Sequence, residues 1–280
     1  KIFGLDYKTE PNLDKWREIK DSISNPEKEI NIAIVGKYTD YLDSYKSLVE
    51  AIDHASISNR VKTKITWLNA RDEKATLPKN IDAILVPGGF GEDGVVGKLN
   101  FIKEARINNI PFLGICYGMQ LAVIEYARNV LGLKSATSSE FAKKGTKKSD
   151  IIVGIMNEWV SQDGKKSKKD GNNLGGTMRL GAYDCIISKD SLAEKIYNKS
   201  KISERHRHRY EVNINFKDKL EKSGLKFSGL SPDKTLPEIV EITDHKFFVA
   251  VQFHPELKSK PFEAHPLFVE FVKMAKNSSK

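Results

Sequence analysis

The chain has 280 residues, 39% hydrophobic and 30% charged, which is enough apolar content for a packed core and excludes a disordered chain or a mini-protein. Two cysteines, Cys116 and Cys185, exclude a disulfide scaffold and a four-thiolate zinc site, and no apolar run approaches the ~20 residues of a membrane span. The net charge of +9 rests on 37 lysines and nine arginines, and lysines spread along a chain read as a solvated face more than as nucleic-acid readout.

The chain opens at Lys1 with neither a Met nor a signal-like apolar stretch, so a fragment of a longer protein is expected. Residues 1–29 read as a linker. Pro11, Pro26 and dense charge surround Leu13, Trp16 and Ile19, whose spacing predicts a short amphipathic helix suited to packing on a further domain. Ile30–Val35 predicts a buried strand, Leu48, Ile52 and Ala55 a helix, Val61–Leu68 an alternating strand, and Ile81–Val86 a strand closed by Pro87, Gly88 and Gly89. Val95–Asn109 reads as a helix, Ile110–Ile115 as a strand ending at Cys116, and Tyr117–Val130 as a helix with Leu121, Ile124 and Ala127 on one side. Strands alternating with helices predict an α/β fold whose mostly parallel sheet is flanked by helices. Residues 161–178, with Lys165, Lys166, Lys168 and Lys169 among Gly, Asn and Ser, have little to bury and are expected to form a mobile loop. Short strands are predicted at 183–188, 225–230, 238–243 and 247–253. A last helix starts near Pro266, with Leu267, Phe268, Phe271, Val272 and Ala275 facing the core. No repeat and no sharp boundary divides residues 30–280.

Three stretches carry chemistry. In Gly114-Ile115-Cys116-Tyr117-Gly118 a buried strand meets a nucleophilic side chain flanked by glycines, and a helix follows at once. This is the nucleophile-elbow pattern with Cys in place of Ser. The flanking glycines suit a tight strand-to-helix turn, and the helix N-terminus favours the thiolate. Cys185 lacks this context and reads as core. A thiolate needs a base, and the base an orienter. His254 and Glu256, on either side of Pro255, can project the same way if the chain stays extended, and Pro255 pushes His254 in that direction. His265-Pro266 reads instead as a helix start. Finally, Pro87-Gly88-Gly89-Phe90-Gly91 follows a strand and exposes backbone N–H groups suited to an oxyanion hole.

Two further patterns stay open or fall away. Gly89, Gly91 and Gly94 match a dinucleotide fingerprint, but Glu92 and Asp93 would face a pyrophosphate, and no acidic residue lies at 109–116 to meet a ribose. Arg205-His206-Arg207-His208-Arg209 puts arginines on one face of an extended chain and histidines on the other. It reads as an anion clamp, a metal site or a solvated run, and metal is disfavoured because no further ligands stand nearby.

Together VPGGFG, GICYGMQ, SSEF, GGTMRLG, RHRHRYEVN and VAVQFHPE resemble the glutaminase domain of the CTP synthase family, a class I (triad-type) glutamine amidotransferase with a flavodoxin-like fold. The resemblance spans about residues 30–275, and residues 1–29 resemble the connector to that family's N-terminal synthetase domain. It implies Cys116 as nucleophile, His254 as general base and acid, and Glu256 as orienter. The backbone N–H groups of Gly89 and Tyr117 would form the oxyanion hole. Gly88, Phe90, Gln120, Glu140 and Arg209 would hold glutamine, Glu140 at its α-ammonium and Arg209 at its α-carboxylate. The family commonly has Leu where this chain has Tyr117, a change expected to alter the pocket wall.

The resemblance implies hydrolysis of L-glutamine through a cysteinyl thioester, with no cofactor and no metal for that step. Ammonia would pass to the synthetase domain, where ATP with Mg would activate UTP for conversion to CTP and GTP would stimulate the coupling. A tetramer is implied for the full-length enzyme, and a cytoplasmic location. No G-x-x-x-x-G-K-[ST] sequence occurs here, so this chain alone is not expected to activate UTP. Rival readings are a γ-glutamyl peptide hydrolase with the same triad, a non-catalytic effector-binding module, and a basic nucleic-acid-binding domain using 165–169 and 205–209. Neither nucleic acid nor membrane is expected as a partner.

Overall fold

A computed structural model describes residues 11–155 and 178–279; the stretch expected to be a loop at 161–178 lies outside them except for Met178. A nine-stranded sheet forms the centre, in the order β2 (Val61–Asn69), β1 (Lys28–Gly36), β3 (Ala83–Val86), β4 (Phe112–Ile115), β12 (Phe248–Val251), β11 (Pro237–Ile242), β10 (Leu225–Leu230), β7 (Arg179–Ile187) and β8 (Lys201–His208). Neighbours from β2 to β12 pair in parallel. The remaining pairings are antiparallel, so only β11 and β7 run against the others. A small second sheet joins β5 (Thr137–Ser138), β6 (Ile151–Ile155) and β9 (Tyr210–Val212).

β1, β3, β4 and β12 are buried on both faces, which explains their unbroken apolar runs. One face packs on α3 (Val95–Ile107) and α4 (Tyr117–Asn129), through Leu99, Ile102, Ala122 and Ile124. The other packs on α2 (Lys46–Asn59) and α7 (Pro266–Ser278), through Leu48, Ile52, Phe268 and Phe271. Phe112 of β4 stacks on Phe248 of β12, centroids 4.4 Å apart, a pairing that contributes about 0.5–1.5 kcal/mol beyond burial. It joins the two strands whose ends carry Cys116 and His254.

The predicted strands and helices appear at their places, with ends moved by a few residues. The amphipathic helix is α1 (Asp14–Ser24). Trp16 stands edge-on against Phe262 at 4.6 Å and Asp21 pairs with Arg60 at 2.7 Å, so the helix lies on this body, and β1 already begins at Lys28. β5, β6, β8 and β9, with the short helices α5 (Leu192–Tyr197) and α6 (Lys217–Lys222), were not foreseen.

Candidate active site

Three adjacent parallel strands end together, and their ends build the site, as α/β sheets do at the carboxyl side of their strands. β4 ends at Ile115, opposite Val251 of β12, and β3 ends at Val86, opposite Gly114. Cys116 therefore emerges between the glycine loop after β3 and the segment that carries His254 after β12.

Cys116 has φ 52° and ψ −101°, a left-handed backbone that a non-glycine residue holds only under constraint. The constraint is visible: its N–H donates to Val251 O at 2.7 Å, and its carbonyl accepts from the Met119 and Gln120 N–H groups at 3.0 and 3.2 Å. The flanking glycines are sterically required. A Cβ on Gly118 would lie 2.1 Å from Val86 O, and one on Gly114 would lie 2.9 Å from Ala250 Cβ. Cys116 stands at the N-terminus of α4. Cys185 is fully buried elsewhere in the core, and burial pushes its thiol up.

His254 reaches the thiol over Gly88. The position of a Gly88 Cβ lies 2.9 Å from His254 Cε1 and 3.8 Å from Cys116 Cβ, so the two side chains meet across that glycine. His254 N–H donates to Arg205 O at 2.8 Å, and Nδ1 lies 2.7 Å from Glu256 Oε1. Nε2 is buried and makes no hydrogen bond of normal geometry; the charge nearest in effect is that of Cys116. Burial alone would depress the imidazole pKa, but Cys116 first and Glu256 second outweigh it and lift the value to about 11. The expected extended His-Pro-Glu chain is corrected: after His254 it turns into one 3-10 turn, Pro255–Leu257, and that turn presents Glu256 to Nδ1. A cavity of about 270 Å³ opens beside this pair, lined in part by Tyr45, Gly88 and Arg207.

Of the remaining expected residues, Glu140 accepts from Gly91 N–H at 2.9 Å, and burial raises its carboxyl. Gln120 is buried, donating to Tyr210 O at 2.8 Å and Gln252 Oε1 at 3.2 Å. Phe90 is 63% exposed beneath Lys37 Nζ, which lies 4.4 Å from its ring centroid and 2.7 Å from its carbonyl. Tyr117 uses the side chain that Leu lacks: its hydroxyl donates to Gly91 O and ties the elbow to the glycine loop. Arg209 is half-buried between β8 and β9.

On β8 the histidines do point inward and Arg205 and Arg207 outward. His206 and His208 meet at 2.9 Å and join a buried group of Arg179, Glu211 and Glu238. Burial first, then Arg179, depresses both imidazoles, His208 to about 3. This group went unforeseen, as did buried Lys98 and Lys37. Lys98 had left a trace, since it interrupts the apolar face of Val95, Leu99, Ile102 and Ala105. Among the described residues no group of three or more ligands suits a metal ion, and no helix is long and apolar enough to cross a membrane.

The model of the family described as "Glutamine amidotransferase class-I" matches residues 40–274. The chain is 54% identical to a CTP synthase of Pelagibacter ubique over 279 residues, covering 98% of this chain and 51% of that protein. It is 49% identical to a CTP synthase of Maricaulis maris, covering 100% and 52% respectively; the chain thus spans about half the length of these curated relatives. A solved glutaminase domain of Trypanosoma brucei CTPS with bound acivicin superposes with a TM-score of 0.76 at 37% identity, over 90% of this chain and 95% of that one. A Thermoplasma acidophilum protein described as "a putative gmp synthase subunit a protein", at 16% identity and a TM-score of 0.53 over 89% of this chain and 94% of that one, shares the fold.

Proposed function

Because the chain belongs to the class I glutamine amidotransferase family, we propose that it hydrolyses L-glutamine to glutamate and ammonia through a thioester on Cys116. The observation that carries this reading is the strained Cys116 elbow facing an imidazole whose far nitrogen is held by Glu256 at 2.7 Å. The Cys116 thiolate attacks the side-chain amide carbon, and the carbonyl oxygen gathers negative charge toward the N–H groups of Gly89 and Tyr117. His254 Nε2 gives its proton to the departing nitrogen, and ammonia leaves as the γ-glutamyl thioester forms. His254 then takes a proton from water, which attacks the thioester carbon, and sulfur leaves as thiolate. Glu256 holds Nδ1–H throughout and stabilises the imidazolium. Glu140 and Arg209 bind the α-ammonium and α-carboxylate, while Gly88, Phe90 and Gln120 complete the pocket. The same triad could serve a γ-glutamyl peptide hydrolase; relatives named CTP synthase favour free glutamine.

Those relatives also suggest the wider context. We read residues 30–280 as the amidotransferase domain and 1–29 as the connector to an N-terminal synthetase domain, which receives the ammonia to aminate UTP to CTP. ATP, Mg and the effector GTP belong to that longer, tetrameric enzyme. A cytoplasmic location suits two free, buried cysteines. The test is release of glutamate and ammonia from L-glutamine by the full polypeptide and its Cys116→Ala variant. Release should drop by about 10³-fold or more, and a glutamine-mimicking electrophile should label only the parent at this residue. Equal glutamate from both would remove Cys116 from the mechanism.

A further inference from the structure

Lys98 sits on α3 yet points inward, with 1% of its surface exposed. Buried lysines are rare unless their charge is paired. Among the described residues Nζ makes no hydrogen bond and no ion pair. It meets the Tyr117 ring, 4.9 Å from the centroid, and Gly89, where a Cβ would lie 3.2 Å away. These are the two residues whose backbone N–H groups make up the proposed oxyanion hole. The placement is fixed from outside: Arg106 of the same helix makes a two-pronged pair with Glu125 of α4, at 2.9 and 2.7 Å. Gly97 packs so closely that a Cβ would lie 2.2 Å from Ala70 O. α3 is thus set firmly against the elbow helix.

We propose that Lys98 is a positioning residue of the acyl-transfer site: its ammonium, seated on Tyr117 and against Gly89, aligns the two oxyanion-donor segments and sets a positive potential behind them. This rests on the glutaminase reading above. A charge so placed favours the tetrahedral oxyanion over bound glutamine, because negative charge on that oxygen develops only in the reaction. Lys98 touches no reacting atom and acts through Gly89 and Tyr117. The charged and titratable groups around it are Lys37, Asp93, Cys116, Tyr117 and Glu140. Burial first, and Lys37 second, lower its pKa to about 8 against the opposing pull of Asp93, Cys116 and Glu140.

The test is Lys98→Met, which keeps the apolar stem and removes the charge, assayed in the full polypeptide beside its parent. The kcat for glutamine should fall about 10- to 100-fold with KM within about 3-fold. Alkylation of Cys116 by iodoacetamide builds no oxyanion, and its rate should stay within about 3-fold of the parent. The parent's kcat should decline as Lys98 loses its proton near pH 8, and Lys98→Met should lack that alkaline limb. An unchanged kcat, a rise in KM alone, or an equal fall in alkylation overturns the proposal. If thermal unfolding shows that Lys98→Met does not fold, the parent's profile decides: a kcat level from about pH 7 to about pH 9.5 overturns it. An inactive parent sinks the glutaminase reading itself, whereas an active parent matched by Lys98→Met sinks only this proposal.

Discussion

Glu256 is the residue whose contribution can be worked from the geometry most directly. Its Oε1 lies 2.7 Å from His254 Nδ1, and the two side chains are only 13% and 15% exposed, so solvent screens the pair little. A hydrogen bond between ionised partners contributes about 1.5–3 kcal/mol, and a neutral one about 0.5–1.5 kcal/mol. Glu256→Gln keeps an acceptor oxygen within reach and loses the difference, about 1–2 kcal/mol, or about 5- to 30-fold in kcat. Glu256→Ala leaves Nδ1–H unsatisfied in a buried setting and frees the imidazole to change tautomer. The loss is then about 2–4 kcal/mol, or about 30- to 1000-fold. The assay is steady-state glutamate release by both variants, with thermal unfolding as a control. Because Cys116 outranks Glu256 among the groups that raise the His254 pKa, 15N NMR of the imidazole should show its pKa lowered in Glu256→Ala yet still above 6.5. The reasoning is refuted if Glu256→Ala keeps more than about a third of the parent kcat, or if Gln costs more than Ala.

Gly118→Ala places a methyl 2.1 Å from Val86 O, so α4 must part from β3 by roughly 1 Å to restore contact distance. Since Val86 leads straight into the glycine loop, a displacement of that size should cost about 100-fold in kcat as well as about 1–3 kcal/mol of stability; normal turnover would show that the close approach is not needed. Glu140→Gln removes the charge proposed for the α-ammonium while keeping an acceptor for Gly91 N–H. KM for glutamine should rise about 10- to 100-fold with a smaller change in kcat, and a kcat loss at unchanged KM would contradict the assigned role.

The proposed triad stands out in the sequence because such chemistry leaves local marks. Gly114 and Gly118 report the elbow, whereas Pro255, read as keeping the chain extended, instead opens the 3-10 turn that brings Glu256 to the imidazole. The parallel core was legible for the same reason: strands buried on both faces carry unbroken apolar runs. The small sheet was not, since β5 and β9 have two and three residues, and their pairing to β6 depends on contacts remote in sequence. The alternation of Arg and His on β8 separates two faces only if the chain is extended, and nothing local said that it would be or that Arg179, Glu211 and Glu238 would close around the histidines. Lys98 was hidden differently. Its interruption of an apolar helix face is a weak mark, because long lysine stems commonly carry their charge out to solvent.

The buried group behind the site bears on how the imidazole is held. Burial, opposed by Arg179, raises the carboxyls of both Glu211 and Glu238. One proton held on the carboxyl pair, one negative charge beside Arg179 and two imidazoles depressed by burial would leave the cluster neutral in sum. A cluster neutral in sum avoids the large cost of an unpaired buried charge. Its members also anchor backbone. His206 and His208 fix the register of β8, whose Arg205 carbonyl accepts the His254 N–H at 2.8 Å. Glu238 O accepts from Gln252 N–H at 2.9 Å, two residues before His254. The imidazole is thus gripped through main-chain bonds on both sides by elements that a satisfied polar interior holds in place. Held in this way, the ring loses little further freedom when the reaction begins, which is where preorganisation lowers a barrier.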